Sequence, residues 1–228
     1  MRVERQARAE RVLDAAGELL LRVGYRRVTV DDVAERAGIG KGTVYLHWST
    51  REELFMAVLR RELAAASDEL AAGIRADPAE LLLHRLTRAN FLAVSSRPLL
   101  TALTLADPEV LGKLARTRHG TEHQLALDDY LQLLAGHGLV RADLAVEELA
   151  YAWHATLEGF FVAQSHAGPD STQAALRRNA DLLAATVRSA FEPSPLPDVD
   201  LAGLAPQAIG LLIKIRDAHR AQLRPAYE

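Results

Sequence analysis

The chain has 228 residues, a Leu- and Ala-rich composition with few aromatics, and a formal net charge of -3. That length suits one large or two small domains with a real core. Cysteine is absent, which excludes disulfides and thiolate metal sites. The first residues, MRVERQARAER, are mixed-charge with no apolar signal core, and no apolar run nears the ~20 residues that span a bilayer. A soluble cytoplasmic protein without membrane association is therefore expected. Residues 1–62 carry 12 Lys+Arg against 10 Asp+Glu, and the remainder carries 15 against 20. A weakly basic head thus precedes an acidic body, as expected if only one face meets phosphate.

The spacing predicts a first helix from about Gln6 to Val23, with Val12, Leu13, Ala16, Leu19, Leu20 and Val23 inward and Gly24 as its stop. Arg2, Arg5, Arg8 and Arg11 recur every three residues, as a basic stripe near DNA or simply as a solvated face. Thr29 then offers an N-cap, with Asp32 three residues later near the positive helix end. Val30, Val33, Ala34 and Ala37 give that short helix an apolar face, and Gly38 suits a left-handed C-cap. Ile39 is placed to plug the turn, and Gly40 to cap the next helix.

The second short helix is expected over Lys41 to Trp48, with Val44 and Trp48 inward. Lys41, Gly42, Thr43, Tyr45 and His47 are left pointing outward. Lys41 and Thr43 can reach base edges or phosphates, and Tyr45 and His47 can donate to phosphate oxygens. Gly42 lets the backbone approach a duplex closely. Thr50 and Glu53 form a capping box for a long helix from Arg51, whose N-terminus with Arg51 reads as a phosphate clamp. Two short helices joined by a tight Gly turn form a helix-turn-helix, the second helix of which lies in the DNA major groove.

This segment resembles the DNA-binding domain of the TetR family of bacterial transcriptional regulators. The matching pieces are ERVLDAAGELLLRVGYRRVTV, then VAERAGIGKGTVYLHW, then STREELF, within residues 6 to 66. Gly40 departs from the Ser or Thr usual in the family, and Trp48 from the usual Phe. The resemblance implies DNA contacts from Thr29, Lys41, Thr43, Tyr45 and His47, with Arg51 on the backbone. It also implies an all-α fold: a three-helix helix-turn-helix DNA-binding domain at 6–66 (motif 29–48), followed by a helical ligand-binding and dimerisation domain at 76–228. Such proteins are typically homodimers, each subunit carrying a ligand pocket.

Two motifs compete with this reading. The run Gly38-Ile-Gly-Lys-Gly-Thr43 faintly resembles a phosphate-binding loop, but Glu35 and Gly42 stand where Gly and Ser or Thr are needed. His119-Gly-Thr-Glu-His123 spells the inverted zinc-protease signature, but Gly120 interrupts it and no other protease feature accompanies it. No catalytic residue, metal or cofactor is assigned.

Further helices are expected from Arg51 to Arg75, after Asp77-Pro78, after Arg97-Pro98, and as one long helix from Pro108 to Ala135, bent at Gly120. Val146 to His166 and Thr172 to Phe191 form a helical hairpin, with Asp170 or Ser171 as a cap. Its two apolar faces want a partner, either within one subunit or, as the resemblance implies, in a twin chain through 146–166 and 172–191. A Pro-rich linker at 192–206 leads to an added helix from Pro206 to Leu223. Polar or aromatic residues at otherwise apolar helical positions are candidate ligand contacts: His84, Asn90, Phe91, Gln124, Tyr130, Trp153, His154, Glu158, Phe161 and Gln164. Each also has a bland reading as a core hydrogen-bonder. Together they would suit a small apolar or amphipathic ligand.

The sequence therefore points to a ligand-responsive homodimeric repressor of a palindromic double-stranded DNA operator. The alternatives are a DNA-binding regulator controlled by a protein partner and a metal-dependent hydrolase using His119 and His123.

Overall fold

A computed structural model of the chain describes residues 2–116, 121–166 and 172–223. Among these residues every regular element is helical. The chain divides into two compact units. The first comprises Met1–Ala65, Arg97–Arg118 and Asp217–Glu228; the second comprises Ala66–Ser96 and His119–Arg216. The first unit is thus wider than residues 6–66, because two later segments complete its core.

In that unit, α1 (Arg2–Val23) buries Val12, Leu13, Ala16, Leu19 and Leu20, the periodic face seen in the sequence. It packs with α2 (Val30–Ala37), α3 (Lys41–Tyr45) and the first part of α4 (Arg51–Ala76). Two short helices, α6 (Pro98–Thr104) and α7 (Pro108–Leu111), add Leu99, Ala102 and Leu111 to the same core, and Leu223 joins it from far along the chain. The long helix expected from Pro108 is not formed. The chain turns at Gly112, whose φ of 54° is left-handed, and continues as the 3-10 helix Gly112–Arg116. A Cβ at Gly112 would lie 2.7 Å from the Tyr25 ring, so the break is also a seat for that tyrosine. The bend expected at Gly120 lies outside the described residues.

The second unit contains the rest of α4, a 3-10 turn (Pro78–Leu81), α5 (Leu83–Ser95), α8 (Thr121–Gly136), α9 (Val146–His166), α10 (Gln173–Phe191) and most of α11 (Leu201–Ala221). Helix α10 lies along α5 and buries Ala180, Leu183, Ala184, Val187 and Phe191. Helix α9 buries Leu149, Trp153, Leu157 and Phe161 at helical spacing. Both helices of the expected hairpin therefore pack inside the subunit, yet each keeps a second, exposed strip. Tyr151 and Val162 mark it on α9 and Leu182 on α10. The cap of α10 is Thr172, whose hydroxyl accepts from the Ala175 N–H at 3.2 Å; Asp170 and Ser171 lie outside the described residues. Helix α11 begins at Leu201 rather than at Pro206. The Asp200 carboxylate accepts from the Gly203 N–H at 3.0 Å, and this cap starts the helix ahead of the proline. The 192–206 linker is correspondingly shorter.

Candidate DNA-contacting face and candidate ligand residues

Helix α2 and the turn that leads from it to α3 are both fixed by local hydrogen bonds, starting at the N-cap of α2. Thr29 Oγ1 accepts from the Asp32 N–H at 3.2 Å, and the Asp32 carboxylate accepts from the Thr29 N–H at 2.7 Å and from its hydroxyl at 2.7 Å. Those bonds hold the Asp32 carboxyl below its ordinary pKa. Thr29 is exposed, but both of its donors are committed to Asp32. Gly38 adopts the left-handed conformation at φ 67° and ψ 37°, and its N–H caps α2. Gly40 is the extended N-cap of α3 and supplies no side-chain bond.

With Val44 and Trp48 buried, α3 presents Lys41, Gly42, Tyr45 and Leu46 to solvent, and Thr43 is half-buried. Lys41 Nζ donates to the Asp31 carboxylate at 2.7 Å, and both groups are exposed. The hydrogen bond to Asp31, more than its charge, raises the lysine pKa. Any phosphate that takes Lys41 must compete with this carboxylate.

Two expected DNA contacts are placed otherwise. His47 is buried at 8% exposure, its ring centroid 5.4 Å from that of Trp48. Helix α3 ends at Tyr45, and the His47 N–H bonds back to the Val44 carbonyl three residues earlier at 3.0 Å. This tighter turn leads His47 inward and leaves Leu46 outside at 75% exposure. Arg51 is turned into the core as well. Its guanidinium lies 4.2 Å from the Tyr25 ring centroid and 5.8 Å from that of Phe55, and it donates to the Tyr25 carbonyl. Its Nε is buried without a partner. The N-terminus of α4 is also occupied: the Glu53 carboxylate accepts from the N–H groups of Ser49 at 2.8 Å and Thr50 at 3.3 Å. Tyr25, 26 residues before Arg51, left no local trace of this pairing in the sequence.

In the second unit the ligand candidates separate. Trp153 Nε1 donates to Thr87 Oγ1 at 2.8 Å, and Thr87 donates to the Leu83 carbonyl at 2.6 Å. Tyr130 donates its hydroxyl to the Leu81 carbonyl at 2.7 Å, and burial pushes its pKa up. His84 Nδ1 faces both oxygens of Glu192 at 2.9 and 2.8 Å, and the same carboxylate accepts from the His84 backbone N–H at 2.9 Å. Asn179 Nδ2 donates to Gln164 Oε1 at 2.8 Å. For these residues the core hydrogen-bonding role is the observed one.

Phe91 and Phe161 pair with centroids 5.0 Å apart, and Asn90, next to Phe91 in sequence, is half-buried. His154 is half-buried with its ring 4.7 Å from Trp153; burial lowers its pKa against the opposing charge of Asp128. Glu158 does not face inward. It falls on the exposed strip of α9 with Tyr151 and Val162, because Leu157 and Phe161 take the buried side. His119, and the side chains of His123 and Gln124, lie outside the described residues. Among the described residues no helix is long and apolar enough to cross a membrane.

Comparison with known proteins agrees with this architecture. Residues 12–58 match the bacterial regulatory proteins of the tetR family. The HTH-type transcriptional repressor AcnR of Corynebacterium diphtheriae is 28% identical over 195 residues, covering 84% of this chain and 96% of AcnR. The HTH-type transcriptional regulator YdeS of Bacillus subtilis is 30% identical over 139 residues, covering 60% of this chain and 69% of YdeS. A crystal structure of a transcriptional regulator from Rhodococcus sp. Rha1 shares the fold with a TM-score of 0.58 at 22% identity, covering 82% of this chain and 99% of that one. The capped α2–turn–α3 unit, its apolar core and these relatives lead to one conclusion: the chain belongs to the TetR family and is a DNA-binding transcriptional regulator.

Proposed function

We propose that this regulator is a ligand-responsive homodimeric repressor of a palindromic operator, and that Lys41, Gly42, Thr43 and Tyr45 meet the DNA. The observation that carries the reading is the solvent face of α3, where a lysine, a bare glycine and a tyrosine stand outward from a helix anchored by Val44 and Trp48. Repression follows the named role of AcnR. A chromosomal target implies a cytoplasmic protein. The exposed strips of α9 and α10, where Tyr151, Val162 and Leu182 stand among polar residues, are the surface we assign to a second copy. Two recognition helices in such a dimer would address successive major grooves about 34–36 Å apart. A small apolar or amphipathic molecule near Asn90, Phe91, His154 and Phe161 would release the operator by favouring another spacing. The continuous helix α4, which contributes to both units, is the natural carrier of that change.

Selection of genomic fragments by the purified protein at fixed salt tests the reading. A short palindrome supports it; diffuse, salt-sensitive binding alone counts against it. On the selected operator, Lys41→Ala and Tyr45→Ala should each weaken binding about tenfold, and Lys41→Ala should lower the salt slope by about one. Unchanged titrations would remove these residues from the interface. Asp31→Asn should act in the opposite direction and tighten binding roughly threefold, because Lys41 is released and a negative charge is removed. Weaker binding by a normally folded Asp31→Asn protein would show that the pair orients Lys41 for DNA rather than restraining it.

Control by a protein partner is the second reading, favoured by how many polar side chains of the second unit are satisfied internally. Operator release by a small molecule added to pure protein would dismiss it.

A further inference from the structure

We infer that Leu46 is a specificity-determining residue that reads a thymine 5-methyl group in the major groove. The inference rests on the assignment of α3 as the DNA-contacting helix. Leu46 is 75% exposed, while its apolar neighbours Val44 and Trp48 are 1% and 5% exposed. Its exposure therefore does not come from poor packing of the segment; the core is filled without it. Its backbone is held: the Leu46 N–H donates to the Gly42 carbonyl at 3.2 Å, and its φ of −70° and ψ of −21° continue the helical path. The side chain is thus presented from a fixed base.

Gly42 stands one turn earlier on the same side, where an added Cβ would meet nothing within 4 Å. Tyr45, 44% exposed, flanks it. The result is a branched apolar tip beside a strip of bare backbone, next to the Lys41 and Tyr45 groups suited to phosphate. Leucine has no donor or acceptor in its side chain, so it gains nothing from phosphate or sugar oxygens. The one apolar group that a base edge offers in the major groove is the C5-methyl of thymine. A cytosine at the same place carries only hydrogen at C5 and offers no methyl to meet, so Leu46 would discriminate against it.

The test uses the full-length protein and the operator obtained by fragment selection. Each thymine is replaced in turn by deoxyuridine, which removes only the methyl group. Wild-type protein should lose roughly tenfold in affinity at one symmetry-related pair of positions, the scale of a single apolar contact. Leu46→Ala should bind thymine and uracil operators there equally while keeping the wild-type salt slope. Leu46→Met, which keeps an apolar tip, should retain most of the discrimination. The proposal is overturned if Leu46→Ala shows the wild-type thymine preference, if no thymine position matters, or if the substitution changes the oligomeric state instead, which would make Leu46 a contact between subunits. Failure of the underlying assignment is visible separately, as an absence of sequence-selective binding on unmodified DNA.

Discussion

Trp48→Ala should destabilise the first unit by about 3–5 kcal/mol. Trp48 is 5% exposed and lies in the core cluster that joins α1, α2, α3 and the start of α4. It lies three residues past the end of α3, and its backbone N–H bonds to the Val44 carbonyl at 3.0 Å, so the segment that carries the indole is tied back to the short helix. Helix α3 spans only Lys41–Tyr45, too short to persist without tertiary support. The cavity left by alanine therefore loosens α3 as well as costing apolar burial. A urea titration followed by circular dichroism measures the loss, and Trp48→Phe should recover most of it. A midpoint for Trp48→Ala equal to that of wild type would contradict the packing. Operator binding should fall with stability, in contrast to Tyr45→Ala, which should weaken binding without moving the melt.

The second large effect is expected at Glu192. Its side chain is fully buried, and it accepts from both the backbone N–H and the ring of His84. Removing one member of a buried pair leaves the other desolvated and unsatisfied, so Glu192→Ala should cost about 3–5 kcal/mol. Glu192→Gln should cost less, because the amide oxygen can still accept from the His84 N–H. The double variant His84→Ala with Glu192→Ala should be less destabilised than the sum of the two single variants, since neither side chain is then left without the other and only the residue-84 N–H loses its acceptor. Additive losses would show that the pair is not coupled. The loss should appear in unfolding of the second unit, and DNA affinity measured on the folded fraction should be little changed.

The parts of the fold legible in the sequence are those governed by short-range chemistry. The Thr29–Asp32 and Thr50–Glu53 capping boxes, the Gly38 stop and the buried face of α1 all depend on residues within a turn or two of one another. What escaped depends on distant partners. Arg51 reads as a phosphate ligand at a helix start, but the Tyr25 ring and carbonyl draw it inward. His84 reads as a ligand contact until Glu192, 108 residues away, is seen beside it. Gly112 ends α7 at a left-handed φ, and the Tyr25 ring leaves no room there for a side chain, a fact the local pattern of Pro108–Arg116 does not contain. On the solvent face of α3 the difference is one of phase: a helix continued to Trp48 sends His47 outward, whereas the tightened turn buries His47 and exposes Leu46.

The core of the first unit takes Leu99, Ala102, Leu111 and Leu114 from one later segment and Leu223 from another. Leu99 lies against α1 at Gly17, and the Tyr25 N–H bonds to the Val110 carbonyl at 2.9 Å. Synthesis on the ribosome delivers both pieces after α1 to α4, the first soon after α4 and the Leu223 segment only after 119–216 has emerged. The apolar surface that Leu223 covers stays open while residues 119–216 are made, and the high sequence separation slows closure of the core. A product terminated soon after α4 carries every residue of the helix-turn-helix yet lacks part of the core behind it. Such shortened products should therefore fold poorly and compete weakly for an operator.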